Sequence, residues 1–150
     1  MLLSSKNICV VHFSILNAII WKLLVDPAAV SGHGLVFIIG RAMQLPDAEF
    51  KKDDPAIGLI IVLLIYAAIS DISVIISPNT SFLEVTVPFR LMFSFIVTAF
   101  SYLGSDSNIS LSNSIVFTIS FVEIIIQFWL YTTLREERSV KIRQQVPIDE

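Results

Sequence analysis

Cysteine is all but missing from this chain of 150 residues: Cys9 stands alone, inside an apolar run. One thiol builds neither a disulfide framework nor a thiolate metal site within a single chain. Charge is scarce as well, at 15% of residues, and it is unevenly placed. Between Pro55 and Thr133 the only charged side chains are Asp71, Glu84, Arg90, Asp106 and Glu123. A nucleic-acid partner needs a basic stripe or an exposed aromatic platform on a soluble face, and the sequence has neither. Catalytic signatures are missing too: there is no G-x-S-x-G elbow, no H-E-x-x-H, no glycine-rich phosphate loop and, within the apolar runs, no pair of carboxylates at helical spacing. His12 has no second His near it and only the single Cys9, so no metal site is expected, and no cofactor is implied.

What the chain has is apolar length. Hydrophobic residues make up 55% of it, and the mean hydropathy is +0.79. The clearest stretch is Pro55–Ile76, twenty-two residues with one charge, Asp71. A helix rising about 1.5 Å per residue needs about 20 apolar residues to cross a hydrocarbon layer about 30 Å thick. Proline suits the first turn of such a helix, and Ile, Val, Leu and Ala on every side exclude a soluble amphipathic one. Three more spans are expected: 8–25; 88–103, which is either short or extended backward through Val85; and 114–131, which closes on an aromatic belt of Phe128, Trp129 and Tyr131. The first of these competes with a cleaved signal peptide, with Lys6 as its basic region and Ala29-Val30-Ser31 as its small-residue site. Its length and the Trp21-Lys22 pair favour a retained anchor, with the Lys22 ammonium snorkelling to the interface.

The first connection carries Gly34–Leu45, whose apolar run is too short to span. It reads as a helix lying in the interface, with Arg41 at the headgroup level. The expected fold is therefore all-α: one membrane domain of four transmembrane helices, an interfacial segment at 34–45 and a polar tail at 132–150. Four spans put both termini on one side. Lys6, Arg90, Arg135, Arg138, Lys141 and Arg143 on that side outnumber Arg41, Lys51 and Lys52 on the other, which places both termini in the cytoplasm. The tail basics Arg135, Arg138, Lys141 and Arg143 recur at near-helical spacing, so they either continue the fourth helix and touch anionic lipid or serve only as the topology signal. Asn79-Thr80-Ser81 and Asn108-Ile109-Ser110 match the glycosylation sequon, a pattern common by chance.

Ionisable groups inside spans are the natural functional candidates, since each costs roughly 2.5–3.5 kcal/mol at a helix centre. Asp71 and Arg90 lie at matching depths and are expected to form an ion pair. Glu123 is deeper; Gln127 lies one turn on along the same face, and Asn17 of the first span has a similar depth. These three are expected to form a buried hydrogen-bond cluster that joins helices. His12 is expected to be a satisfied packing residue, and Gly32-His33-Gly34 a flexible turn.

The first span ending at Asp26-Pro27, the GHGLVFIIGRAMQLP run from Gly32 to Pro46, and the proline-initiated second span ending in an Asp together carry a family likeness. Over about residues 8–76 the chain resembles the fungal "increased loss of mitochondrial DNA" family of small endoplasmic-reticulum membrane proteins, and GRAMQLP (40–46) is the most specific piece. The resemblance implies residence in the endoplasmic-reticulum membrane, four spans and no enzymatic activity. The reading it favours is a non-enzymatic accessory or scaffold subunit, in contact with membrane lipids and with larger integral membrane partners. Its preferred setting is lipid-handling machinery, such as the anchor of a bridge-like lipid-transfer protein. Two alternatives stand beside it: a small ion or proton carrier using Asp71 and Glu123, and a membrane-bound lipid-modifying enzyme built on Asp26, His33 and Arg41.

Overall fold

The computed structural model describes residues 4–51, 54–76, 80–104 and 111–145. Lys52 lies outside the described residues, and so do Asn79 and Asn108, the acceptor positions of the two sequons. Among the described residues the structure is helical, with no strand. The order is α1 (Ser5–Val25), α2 (Pro27–Ser31), α3 (Gly34–Ala42), α4 (Pro55–Ile76), α5 (Thr80–Leu103) and α6 (Ser114–Gln145). Four of these, α1, α4, α5 and α6, are long and apolar enough to cross a membrane.

Each boundary has a local cause. Pro27 pushes the residue before it out of the helical region, so α1 stops at Val25 and Asp26 is extended, with φ −148° and ψ 89°. The same proline then opens α2 at its first position. α3 is capped by His33, whose Nδ1 accepts from the Leu35 N–H at 3.4 Å. At its other end the Leu45 N–H reaches back to the Gly40 carbonyl (2.9 Å) and the Gln44 N–H to that of Arg41 (3.2 Å). That pair of bonds is the Schellman arrangement, which needs a left-handed residue. Gln44 supplies it with φ 53°, a position that glycine would occupy without steric strain.

Two helix boundaries lie more than one turn from the expected limits. α5 begins at Thr80 rather than at Pro88, with the proline inside the helix. Proline removes one backbone donor, but packed neighbours make that tolerable in membrane helices. α6 continues through the polar tail to Gln145, because Leu, Arg, Glu, Lys and Gln are good helix formers and no proline intervenes.

α1 packs on α4, α5 packs on α6, and α1 against α6 joins the two pairs; α3 lies across the start of α6. The buried apolar cluster draws on all four spans and sits toward the chain termini: Ile8 and Cys9, Val74, Leu83 and Val87, Ile126, Leu130 and Leu134. Outward faces are apolar, as at Phe89, Phe93 and Ile96 of α5, which suits lipid tails as neighbours.

Both ends of the bundle are tied by polar contacts. At one end, Glu137 of α6 accepts from the Ser5 N–H (2.9 Å) and Ser5 Oγ (2.8 Å), and from Ser4 Oγ at 3.3 Å. A carboxylate from another helix thus caps α1, where its own Ser4 makes no side-chain cap. This contact also sets the start of α1 and the far part of α6 at the same end of the bundle. At the opposite end Asn113 Oδ1 accepts from the N–H groups of Ile115 (3.1 Å) and Val116 (2.9 Å), capping α6. The Ser114 N–H goes instead to the Pro46 carbonyl (3.0 Å), which anchors the segment after α3. Close by, a Cβ added to Gly40 would stand 2.7 Å from the Ser114 Cβ. Only glycine lets α3 come that near to α6.

A charge network joining four spans

α1 turns a stripe of buried residues inward, including Ser5, Ile8, Cys9, His12 and Leu16, and this stripe carries His12 to the middle of the bundle. The imidazole lies between two carboxylates from different helices. Its Nδ1 is 2.6 Å from Oδ2 of Asp71 on α4, and its Nε2 is 2.8 Å from Oε2 of Glu123 on α6. Two such bonds require a proton on each ring nitrogen, or one on a carboxyl group. From α5, Arg90 donates through Nη1 to Asp71 Oδ1 at 3.2 Å and through Nη2 to Ser70 Oγ. Gln127, fully buried, donates through Nε2 to Glu123 Oε1 at 2.8 Å.

All four spans therefore meet in one chain of contacts: Arg90, Asp71, His12, Glu123, Gln127. His12 and Asp71 are shut away, with side chains 5% and 6% exposed, while Glu123 keeps 27%. With both ring nitrogens protonated, His12 and Arg90 supply two positive charges against the two negative charges of Asp71 and Glu123. The balance removes the cost of an isolated charge in hydrocarbon, and the bonds engage every charged group of the network, leaving Gln127 Oε1 as its one buried polar atom without a partner among the described residues.

Of the residues singled out in the sequence, Asp71 and Arg90 come together, and so do Glu123 and Gln127. Asn17 does not join them. It is exposed and donates to the Phe13 carbonyl of its own helix at 2.8 Å. Five positions separate it from His12, about 140° around a helix of 3.6 residues per turn, so only one of the two can face inward. His12 holds the place expected for Asn17. The available sign was the cost of every ionisable group in a span, which made His12, Asp71 and Glu123 partners for one another.

The interfacial basics are spread out. The Arg41 guanidinium lies 4.9 Å over the Phe37 ring, a cation–π contact. Arg138 is 3.6 Å from Glu84 in an exposed pair, and Arg135, Lys141 and Arg143 line the far part of α6. Lys22 is exposed near the end of α1. Among the described residues no hydrogen bond or ion pair joins Asp26, His33 and Arg41, the set on which an enzymatic reading depends.

Beside the network runs a groove of about 340 Å³ between α1, α3 and α6, with Leu64 of α4 on one wall. His12 and Glu123 stand at its inner end, and Lys22 and His33 at its outer end.

Protein ILM1 of Saccharomyces cerevisiae is 28% identical to this chain over 142 residues, covering 95% of this chain and 70% of that protein. Protein ilm1 of Schizosaccharomyces pombe is 32% identical over 127 residues, covering 83% of this chain and 77% of that protein. Neither name is that of an enzyme. No solved structure matches the chain. The family model described as "Increased loss of mitochondrial DNA protein 1" matches residues 3–144, nearly the whole sequence. The chain belongs to that family.

Proposed function

We propose that the chain is a non-enzymatic accessory subunit of the endoplasmic-reticulum membrane, with both termini cytoplasmic, that anchors a larger integral membrane partner in lipid transfer or lipid homeostasis. One observation carries the reading. α6 has 32 residues and is about 48 Å long, against a hydrocarbon layer of about 30 Å. It leaves the bilayer as a rod, held upright by the Glu137 cap on α1 and presenting Arg135 and Arg143 on its exposed surface. A fixed, charged projection on a locked membrane base suits a handle for another protein.

Gentle purification of the native chain tests this. The expected result is a stoichiometric complex that the double substitution Arg135→Glu/Arg143→Glu dissolves while leaving the chain folded in the membrane. Recovery of the unaltered chain as a lone monomer of normal stability would refute it.

One observation favours the carrier reading: Glu123, part of the charge network, also lines the groove. Proton flux through reconstituted vesicles that disappears with Glu123→Gln would establish that reading; flux indistinguishable from that of empty vesicles would eliminate it.

A further inference from the structure

We propose that the groove between α1, α3 and α6 is a binding site for one anionic phospholipid, with an acyl chain lying in the groove and the phosphate at Lys22 and His33. This goes beyond the anchoring role and stands whether or not α6 binds a partner.

The walls decide the chain. Along α1 the groove is lined by Ile15, Leu16, Ala18 and Ile19, and across from them by Ile119 and Val122 of α6. Its volume of about 340 Å³ falls in the range of small-molecule sites, about 300–1,000 Å³. From His12 to Lys22 the groove follows ten residues of helix, about 15 Å, which is half of a hydrocarbon layer about 30 Å thick. One leaflet's acyl chain has that reach.

The ends decide the headgroup. Lys22 is the cation at the outer end, and among the described residues no carboxylate lies within ion-pair distance of it. His33, from the turn before α3, lines the same groove. Because its Nδ1 accepts from Leu35, the neutral ring carries its proton on Nε2, a donor available to a phosphate oxygen. At the inner end His12 and Glu123 are already committed to each other, so that end offers a headgroup no open partner. The polarity of the site thus runs one way, with the anion outside and the chain methyl inside.

The test uses the full chain in phosphatidylcholine vesicles doped with a photoactivatable phosphatidic acid or, separately, with phosphatidylcholine carrying the same mid-chain diazirine. Adducts mapped to Ile15, Ile19 or Val122 are expected to form with phosphatidic acid about tenfold more than with phosphatidylcholine, the worth of one charge-assisted contact. Lys22→Gln should bring that ratio to one. Ala18→Phe, at an exposed position that fills the groove without crowding the core, should remove groove adducts from both lipids. Adducts at Phe93, on the outer face of α5, serve as the folding control and should not change. If Ala18→Phe fails that control, Lys22→Gln decides alone. Equal labelling by the two lipids, a preference that survives Lys22→Gln, or adducts confined to outer faces would overturn the proposal.

Discussion

His12→Leu is the perturbation that tests the centre of this molecule. Leucine keeps an apolar body in the site but removes both bonds of the imidazole, at 2.6 Å to Asp71 and 2.8 Å to Glu123. The two carboxylates do not suffer equally. Asp71 retains Arg90 at 3.2 Å, whereas Glu123 is left with the Gln127 amide alone. Removing one partner from a buried ion pair costs about 3–5 kcal/mol, and single interhelical hydrogen bonds in membranes average only about 0.6 kcal/mol. Because Glu123 is partly exposed and Asp71 keeps a cation, the expected loss is about 3 kcal/mol, at the lower bound of the ion-pair range. Reversible unfolding in mixed micelles, by titrating a denaturing detergent against helix content, measures it. The double variant His12→Leu/Glu123→Leu should lose clearly less than the sum of the two singles, since no carboxylate then lacks its partner, although the buried Gln127 amide loses its acceptor. A His12→Leu loss below about 0.6 kcal/mol, the ordinary single-bond value, would refute the hub. So would a double variant that loses the sum of the two singles.

Three further outcomes follow from the ends of the bundle. Gly40→Ala should destabilise the docking of α3 by about 1–3 kcal/mol, since its Cβ meets that of Ser114, and Gly40→Ala/Ser114→Gly should restore it; cysteine cross-linking between α3 and α6 reports both. Glu137→Ala should cost about 1 kcal/mol through the lost cap on α1, seen as faster hydrogen exchange at Asn7 and Ile8 with no change near Asn113. Gln44→Gly should raise the unfolding midpoint, worth about 1 kcal/mol, because glycine adopts the left-handed backbone without strain; a drop in the midpoint would show that the Gln44 side chain contributes more than its backbone costs.

The four spans are legible in the sequence because apolar length is a one-dimensional property. Pro55–Ile76 needs no partner to declare itself. Which face of each span turns inward is not legible in the same way. In water the polar side of a helix marks its exposed face, but a membrane helix is apolar outside as well as inside. Asn17 and His12 both offered a polar group, and they differ by about 7.5 Å in depth and about 140° around α1. The start of α5 was hidden for a related reason, since Pro88 reads as a first-turn residue when its neighbours are unknown. The continuation of α6 was legible only in the near-helical spacing of Arg135, Arg138, Lys141 and Arg143, because polarity signals exit from the bilayer and says nothing about the end of the helix. Arg90, Asp71 and the Glu123–Gln127 face were legible because each is costly alone, and cost predicts company.

The groove and the network separate two kinds of perturbation that otherwise look alike in a membrane protein. The inner end of the groove is built from His12 and Glu123, whose positions are fixed by contacts to Asp71, Arg90 and Gln127. One wall at its outer end is α3, held to α6 by the Gly40–Ser114 approach and the Ser114–Pro46 bond. α3 supplies none of the residues of the main buried cluster, so loosening it removes a wall without removing the core. Gly40→Ala should therefore lower lipid labelling in the groove and leave unfolding of the four spans nearly unchanged. His12→Leu should do the reverse in order, losing stability first and lipid only as the inner end loosens. If the two variants moved both readouts in parallel, α3 would be part of the cooperative core, and the division between a locked base and a movable wall would be wrong.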